Sequence, residues 1–279
     1  MNTATISRFS FGGVKVAALL SAAYLVGLVC LAAFAPMLGL QDPFHIDASN
    51  LLASPSSQHW LGTDELGRDM LARVVHGARV SLLVAAAAVA VACLMGVAVG
   101  IGAAFAGRRA EAAIIRIVDV FVSLPEIFVA LVVLAFIGGN LPTLIATIGL
   151  LYCPQFARVT WGVARGVRAR DHVLAARSLG AGKLWIMWHE VLPNMRSIIA
   201  VQASFTFSFA MLLEAGLSFL GLGVRPPTPS WGQMVGSLKD YIFTNYWPVL
   251  VPALALFLTV LAVNILGDWL QDTLNPELQ

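Results

Sequence analysis

Charged side chains are scarce in this sequence. Of its 279 residues, 11% are charged and 59% are hydrophobic, whereas a soluble globular protein has about 25% charged residues. This composition excludes a large soluble domain as the main part of the chain and indicates a protein that crosses a membrane several times. The formal net charge of +2 is too small to indicate a nucleic-acid partner.

Motifs for metal binding and catalysis are also missing. The three cysteines, Cys30, Cys93 and Cys153, lie in apolar runs without CxxC spacing, so we interpret them as small buried hydrophobic residues. The sequence has no HExxH or GxSxG motif, and GAGKL at 180–184 lacks the glycine spacing and the Ser or Thr of a Walker A loop. We therefore predict no catalytic residue, no metal site and no cofactor in this chain.

Long apolar runs are present instead. A helix needs about 20 mostly apolar residues to cross a bilayer, and its backbone groups must be hydrogen bonded within the helix. The first run is longer than the core of a signal peptide, so we expect it to remain as a transmembrane helix. The sequence predicts an all-α membrane protein with six transmembrane helices. Their expected ranges are 14–37, 80–106, 113–137, 142–163, 197–220 and 248–270.

Basic residues are distributed unevenly between the connecting segments, and this orients the helices. With a cytoplasmic N-terminus, the cytoplasmic side holds Arg8, Lys15, Arg108, Arg109, Arg116, Arg158, Arg165, Arg168, Arg170, Arg177, Lys183 and Arg196. The outer side then holds Arg68, Arg73, Arg79, Arg225 and Lys239. This asymmetry follows the positive-inside rule. We therefore expect both termini in the cytoplasm, together with the basic stretch 165–194 between the fourth and fifth helices.

Two segments are expected on the outer side. In the first, 38–79, Thr63 is placed to cap an amphipathic helix that begins with Asp64 and Glu65 and lies on the membrane surface before the second transmembrane helix. The predicted i,i+4 ion pairs of this helix are Asp64–Arg68 and Asp69–Arg73. The other segment, after position 220, is rich in Pro and Gly, which predicts a rigid loop followed by a short helix.

The basic stretch has the pattern of two short helices joined by a glycine turn. Asp171 is placed to cap the first helix, which we expect over 172–179, and Gly180 follows as the C′ glycine that ends it. A second, Trp-rich helix is expected over 183–191, and Pro193 ends it. We expect Trp side chains to hold this unit against the membrane.

Two functions are compatible with this unit. Arginines beside the small side chains of Ala175 and Ala176 form a surface that a soluble partner could approach closely. The alternative is a loop held to anionic lipid by its arginines.

The same stretch resembles a known motif. LAARSLGAGKLWIMWHEVLP at 174–193 is similar to the EAA loop of ABC-importer permeases. The positions that match at the family's spacing are Ala175, Ala176, Gly180, Leu192 and Pro193. Leu174 stands where the family has Glu, and Glu190 stands where it has Ile. The resemblance then implies an apolar contact in place of the charged one at position 174.

Two further stretches extend the resemblance. HWLGTDELGRDMLARVVHGARVSL at 59–82 and LLEAGLSFLGLGVRPPTPSWGQM at 212–234 look like signatures of the dipeptide/oligopeptide/nickel group, in particular of its second, shorter permease subunit. The resemblance implies a type I importer permease fold with 1–37 as cytoplasmic tail and first helix, 38–79 as periplasmic segment, 80–270 as permease core containing the coupling loop 165–196, and 271–279 as cytoplasmic tail.

The resemblance also implies a set of partners. A second homologous permease forms a heterodimer with this subunit, two ABC ATPase subunits hold ATP and Mg, and a periplasmic solute-binding protein delivers the cargo. The subunit itself is then no enzyme, it sits in the lipid of a bacterial inner membrane, and it has no nucleic-acid partner.

The family resemblance also implies roles for individual residues at the matching positions. The residues implied to couple to the ATPase are Asp171, Leu174, Ala175, Ala176, Arg177, Gly180 and Pro193. Those implied in the outer gate or scaffold are Gly62, Asp64, Gly67, Arg68, Asp69, Gly221, Pro226, Pro227 and Trp231.

Three acids lie inside predicted membrane helices and are candidates for the translocation pathway, because an unpaired charge there is costly. For Asp119 we favour an ion pair with Arg116 at i−3 over contact with cargo. Glu126 follows Pro125, where the helix can kink, and it either lines the path and meets the amino group of a peptide or is structural. For Glu214 we favour a structural hydrogen bond that holds the outer gate.

The nature of the cargo stays open at this stage. We expect di- or oligopeptides, with nickel, metallophore complexes, glutathione and short oligosaccharides as alternatives. The outer histidines His45, His59 and His76 lack the spacing of metal ligands. A proton-coupled secondary transporter is the rival from another class, but it predicts inverted repeats and discontinuous helices, which the sequence does not indicate.

Overall fold

A computed structural model describes the backbone of residues 3–274 and the side chains of residues 15–274. Within this part the secondary structure is helical, apart from one isolated antiparallel bridge between Thr63 and Asp69. The predicted all-α class is therefore confirmed. The helices of more than ten residues are α1 (Thr3–Phe34), α2 (Met70–Phe105), α3 (Arg108–Ser123), α4 (Glu126–Ile137), α5 (Leu141–Arg168), α9 (Arg196–Phe219) and α11 (Trp247–Leu274).

Shorter elements connect them. The segment before α9 contains α6 (Asp171–Ser178), α7 (Lys183–Ile186), a π-helical turn (Met187–Val191) and α8 (Leu192–Asn194). Before α11 lie α10 (Trp231–Leu238) and a 3₁₀ turn (Lys239–Tyr241), and another 3₁₀ turn (Ala35–Met37) follows α1.

The six-helix prediction holds only in part. Four helical segments within residues 3–274 are long and apolar enough to cross a membrane, namely Lys15–Met37, α2, α9 and α11. The α3–α4 pair adds a fifth if it is one span. With 28 residues, α5 is about 42 Å long at 1.5 Å per residue, but it is less apolar than these. Its polar side chains belong to the site described below.

The predicted single helix over 113–137 is wrong. The chain breaks between α3 and α4 with a bend of 87°. Pro125 has no N–H to continue the hydrogen bonding of α3, and the residue before a proline is driven to extended backbone, as observed for Leu124 (φ −80°, ψ 135°). The proline was expected to kink this segment, but the sequence did not indicate a right-angled break.

The predicted start of the outer amphipathic helix is also wrong. Residues 63–69 form a turn, and α2 begins at Met70 with Asp69 as its N-cap, whose side chain accepts a 2.8 Å hydrogen bond from the Ala72 N–H. From there α2 continues for 36 residues to Phe105 without interruption. The surface helix and the second transmembrane helix are therefore one element, and the predicted domain boundary at 79–80 falls inside it.

The main packing contact is between α2 and α5, and small side chains make it possible. An added Cβ would lie 2.6 Å from the Cys153 carbonyl oxygen at Gly96 and 2.5 Å from the Ala157 carbonyl oxygen at Gly100. Small residues let helix backbones approach closely within a membrane. The buried small residues of α2 include Ser81, Ala85, Ala88, Ala92, Gly96 and Gly100.

Candidate functional site

The basic stretch forms a short helix that ends, as predicted, at Gly180. Gly180 has a φ of +90°. Its N–H donates to the Arg177 carbonyl oxygen, and the Ala181 N–H donates to the Ala176 carbonyl oxygen, both at 3.0 Å. These two bonds form a Schellman motif, which needs a residue with positive φ at the C′ position. The predicted role of Gly180 in ending the helix is confirmed.

The N-terminal end of α6 differs from the prediction. Arg170 occupies the N-cap position, and Asp171 is the first helical residue. A carboxylate there still interacts favourably with the positive end of the helix dipole. The cap prediction for Asp171 is therefore wrong by one residue.

The second helix is longer than predicted. The helical turns α7, the π turn and α8 follow one another from Lys183 to Asn194, and Pro193 lies within the first turn of α8. A proline is tolerated in a first turn because the N–H that it lacks has no helical partner there. The chain changes direction at Met195 (φ −105°, ψ −3°), so the predicted end at Pro193 is wrong.

An apolar cluster joins this unit to the ends of α2 and α5. Val173 is the buried side chain of α6, and it packs with Phe105 of α2 and Val167 of α5. The Arg168 guanidinium donates to the Ala104 carbonyl oxygen at the end of α2 and lies 5.5 Å from the centre of the Phe105 ring. Within the basic stretch, Arg168 therefore stabilises the packing against the end of α2.

The side chains on the opposite side of the unit are exposed. Leu174 is 47% exposed and Leu179 is 89% exposed, with Ala175 and Arg177 exposed between them. We name these four residues the coupling surface. Leu179 was not predicted as a site residue, although an apolar residue directly before a C′ glycine in a basic segment could have indicated it. The assignment of this surface to ATPase coupling stays a prediction.

The Trp-rich helix faces the membrane part of the molecule. Trp188, Leu184 and Leu192 line an apolar cavity of about 460 Å³ together with Cys93 and Val97 of α2. The expectation that tryptophans hold the unit against the membrane stays a prediction.

A row of polar contacts connects α5 to α3 and α4, and we name it the polar seam. Its members are the pairs Gln155–Glu126, Arg158–Asp119 and Trp161–Glu111. The α5 members follow one another at intervals of three residues, so they lie along one side of the helix. This row explains why α5 is less apolar than the other long helices.

Asp119 does not form the predicted pair with Arg116. The Asp119 carboxylate lies 3.5 Å from the Arg158 guanidinium of α5. Both side chains remain about half exposed, so this ion pair contributes little stability. The ion-pair interpretation of Asp119 is correct in kind and wrong in its partner.

Glu126 lies at the break between α3 and α4. The Gln155 amide donates to its carboxylate at 2.6 Å, and the hydroxyl group of the buried Tyr152 is adjacent to the same carboxylate. Glu126 is thus partly buried beside two uncharged polar side chains.

Glu214 is fully buried and connects three helices. Its carboxyl group accepts hydrogen bonds from Ser218 of α9 at 2.7 Å and from Ser81 of α2 at 3.3 Å. The Ser81 hydroxyl oxygen accepts the Trp231 backbone N–H at the start of α10, at 3.2 Å. This geometry fits the predicted structural hydrogen bond, and the link to an outer gate stays a prediction.

Two glycines shape the predicted outer scaffold. Gly62 and Gly67 both have a φ of +75°, and an added Cβ would lie 2.5 Å from the Ala53 carbonyl oxygen at Gly62 and 2.7 Å from the Asp47 carbonyl carbon at Gly67. The loop at Asp47 is itself ordered by hydrogen bonds, chiefly from the Ser49 side chain, which lower the pKa of the Asp47 carboxyl group to about 2.

A buried group of charges lies at the start of α2. Asp64 is 2.6 Å from Arg68, as predicted, and 3.1 Å from Arg73. Asp69 contacts His59 at 2.9 Å. The predicted Asp69–Arg73 pair is therefore wrong, because the turn at 63–69 brings Arg73 onto Asp64.

The second outer segment is a loop followed by a short helix, as predicted. Gly221 has a φ of +81°, and the Pro226–Pro227 peptide bond is cis. Ser230 caps α10 through its bond with the Gln233 N–H. Trp231 is fully buried, and its indole N–H donates to the Val74 carbonyl oxygen at 3.0 Å, which joins α10 to α2.

The predicted site residues thus occupy separate regions. The residues of 171–193 form one unit at the ends of α2 and α5. Asp119 and Glu126 share the polar seam, whereas Glu214 belongs to the serine network beside Trp231.

Comparison with known sequences identifies similar proteins over most of the chain. Residues 96–279 match the family described as binding-protein-dependent transport system inner membrane component. The chain is 40% identical over 262 residues to the di/tripeptide transport system permease protein DppC of Pseudomonas aeruginosa, covering 92% of this chain and 86% of that protein. It is 36% identical to the dipeptide transport system permease protein DppC of Alkalihalophilus pseudofirmus, covering 91% and 84%.

Another relative is the probable D,D-dipeptide transport system permease protein DdpC of Escherichia coli, which is 36% identical over 92% of this chain and 86% of its own length. Among solved structures, an inward-facing form of the MetNI methionine ABC transporter contains a chain of similar fold. The TM-score is 0.60 at 18% identity, and the match covers 74% of this chain and 98% of that one. This similarity concerns the fold alone.

Proposed function

Because the chain belongs to the family of binding-protein-dependent transport system inner membrane components, we propose that it is the permease subunit of an ABC importer for di- or oligopeptides. The observation that carries the peptide assignment is the identity of 36–40%, along nine-tenths of the chain, to permeases named for dipeptide and tripeptide transport. The four to five apolar helices found within residues 3–274 agree with a multi-pass inner membrane protein.

The coupling surface is proposed as the contact with an ATPase subunit. It combines exposed apolar side chains, Leu174 and Leu179, with the exposed cation of Arg177, and α6 is held from behind by the buried Val173. Such a helix can transmit a movement of the ATPase to α2 and α5, because the apolar cluster connects all three. At the position of the family's glutamate, Leu174 offers an apolar contact.

The remaining partners follow from the same assignment. We propose a second, homologous permease as the other half of the pathway, two ATPase subunits that hold ATP and Mg, and an outer binding protein. In this assembly the chain has no cofactor and no enzymatic activity of its own, and both of its termini lie in the cytoplasm.

One observation agrees with the rival function of a secondary transporter. The bent α3–α4 pair is a discontinuous helix, a feature that was expected of secondary transporters and not of this chain. Family membership nevertheless favours the importer, since ATP-driven import also accounts for the exposed α6 unit.

Purification from native membranes tests this proposal. We expect two ABC ATPase subunits and a second permease to co-purify with the chain, and we expect ATP-dependent uptake of a labelled dipeptide after reconstitution with the cognate binding protein. Binding of peptides and of nickel complexes to that binding protein should be measured side by side. Co-purification without any ATPase would favour the secondary transporter, and binding of nickel complexes alone would replace the peptide assignment.

A further inference from the structure

The three carboxyl groups of the polar seam differ in their surroundings. Asp119 has the guanidinium of Arg158 at 3.5 Å. Glu111 accepts the indole N–H of Trp161 at 2.9 Å and lines a cavity of about 270 Å³ that several arginines share. Both of these acids therefore have positive charge nearby.

Among the residues that the structure describes, none provides such compensation to Glu126. Among the side chains of residues 15–274, no Lys, Arg or His nitrogen lies within 4.0 Å of its carboxylate. Its polar neighbours are Gln155, which donates a hydrogen bond to it, and the adjacent hydroxyl group of Tyr152, and neither carries a positive charge. An uncompensated carboxylate at membrane depth is costly and is retained where it has a function.

The carboxyl group of Glu126 remains partly accessible. It is the first residue of α4, directly after the 87° break, and its side chain is only partly buried. Phe121 and Phe128, on either side of the break, are 55% and 64% exposed. A partly buried carboxylate attracts a cation more strongly than one in water does, because the effective dielectric constant is lower.

The three polar side chains match the chemistry of an ammonium group. A primary ammonium has three N–H donors. The Glu126 carboxylate can accept one of them, and the side-chain carbonyl of Gln155 and the hydroxyl oxygen of Tyr152 remain as acceptors, because the Gln155 contact with Glu126 uses its amide N–H. The set therefore provides one charge and three acceptors.

We propose that Glu126, Gln155 and Tyr152 form a subsite that binds the free amino terminus of a peptide as it crosses the membrane. The inference rests on the proposed peptide-import function. It adds a chemical requirement to that function. The permease itself recognises a positively charged amino group after the binding protein has released its cargo.

Uptake by the reconstituted whole complex tests this subsite. For Glu126→Gln we expect dipeptide uptake at pH 7 to fall by about tenfold, which is at the lower end of what the loss of a hydrogen bond to a charged group costs. ATP hydrolysis stimulated by the binding protein should persist. Glu126→Asp, which keeps the charge, should retain more uptake than Glu126→Gln, and Gln155→Leu should give a smaller loss.

The matched control is Glu111→Gln. It makes the same chemical change on the same seam, and the glutamine can still accept the Trp161 indole N–H. We expect uptake close to that of the unmodified complex.

The pH dependence separates recognition of an ammonium from a structural role. The α-amino group of a peptide loses its proton near pH 8, so the ratio of unmodified to Glu126→Gln uptake should fall between pH 7 and pH 9. The ionisable side chain beside Glu126 is Tyr152, and the next contact along the polar seam is the Asp119–Arg158 pair, whose opposite charges offset each other. α9 approaches α4 through the uncharged contact of Gly216 with Ile127. The Glu111→Gln complex, measured at the same pH values, corrects for changes elsewhere.

The outcomes distinguish a failure of the proposed function from a failure of the subsite. If the unmodified complex takes up no dipeptide, the proposed function itself fails. If it does, then undiminished uptake by Glu126→Gln, a ratio that does not change with pH, or loss of the second permease from the Glu126→Gln complex would each overturn the subsite. The last result would assign Glu126 to a cation of the partner permease.

Discussion

Among single residues, Gly180 has the strictest conformational requirement of the proposed coupling unit. Its φ of +90° allows the two hydrogen bonds that end α6. An added Cβ would meet no atom within 4 Å, so a side chain is disfavoured there by the backbone conformation and not by crowding. For an L-residue this conformation costs about 1–2 kcal/mol, and more for a β-branched one.

We therefore expect Gly180→Val to disturb coupling while leaving the membrane helices intact. A cost of about 1–2 kcal/mol lowers the population of the docked conformation by about 5–30-fold. The complex should assemble, yet lose most of its transport and most of its ATPase stimulation by the loaded binding protein. Reconstituted complexes allow both to be measured.

Gly182→Val is the matched control for this change. Gly182 lies two residues away, and its Cβ would likewise meet no atom within 4 Å, but its φ of −70° suits any residue. This variant should keep most of the stimulation. Equal activity of the two variants would contradict the coupling assignment and favour a loop that only contacts lipid.

At the scale of elements, the close contact of α2 with α5 is the feature on which the fold depends most. The backbone nitrogen of Trp161 lies 2.9 Å, and the carbonyl oxygen of Ala157 2.5 Å, from a Cβ placed at Gly100. A side chain at Gly100 would have to push the two helix backbones apart, because backbone atoms cannot rotate away as a flexible side chain can.

Gly100→Leu should therefore destabilise the protein by about 1–3 kcal/mol or more, which is typical of overpacking a close contact. Gly102→Leu is the control on the same helix, because no atom lies within 4 Å of a Cβ at Gly102. The thermal stability of the detergent-solubilised complex should fall for the first variant only. Equal midpoints would mean that the α2–α5 contact is looser than the structure indicates.

At the scale of the whole molecule, the proposed orientation in the membrane relates the separate regions to one another. The turn at 63–69 and the coupling surface lie near opposite ends of α2, which begins at Met70 and ends at Phe105. At 1.5 Å per residue its 36 residues extend about 54 Å, enough to connect the two sides of a bilayer. A movement of α6 can thus reach the outer side through α2.

This orientation can be measured by cysteine labelling. In a background without Cys30, Cys93 and Cys153, we expect Ser56→Cys to react with an impermeant thiol reagent added to intact cells. Ser178→Cys, at a position that is also exposed in the structure, should react only after the membrane is permeabilised. The reverse pattern would invert the orientation derived from the arginines.

Features that depend on neighbouring residues were predictable from the sequence. The glycine that ends α6, the short helix after the proline-rich loop and the apolar helices follow from local backbone preference and from composition, which a few consecutive residues define. The small residues of α2 were also visible at intervals of three and four. The close contact with α5 that they allow was not predicted, because the helix had been identified from its apolar content alone.

The sequence by itself determined the helical class, the approximate membrane segments, the end of α6 and the family to which the chain belongs. Only the tertiary structure decided which partners the polar side chains have: Asp119 pairs with Arg158 and not with Arg116, and Asp64 binds Arg73. Such pairs depend on how helices far apart in the sequence are rotated and packed against each other. The uncompensated charge of Glu126 became visible for the same reason, since it could be recognised only after every neighbouring side chain had been placed.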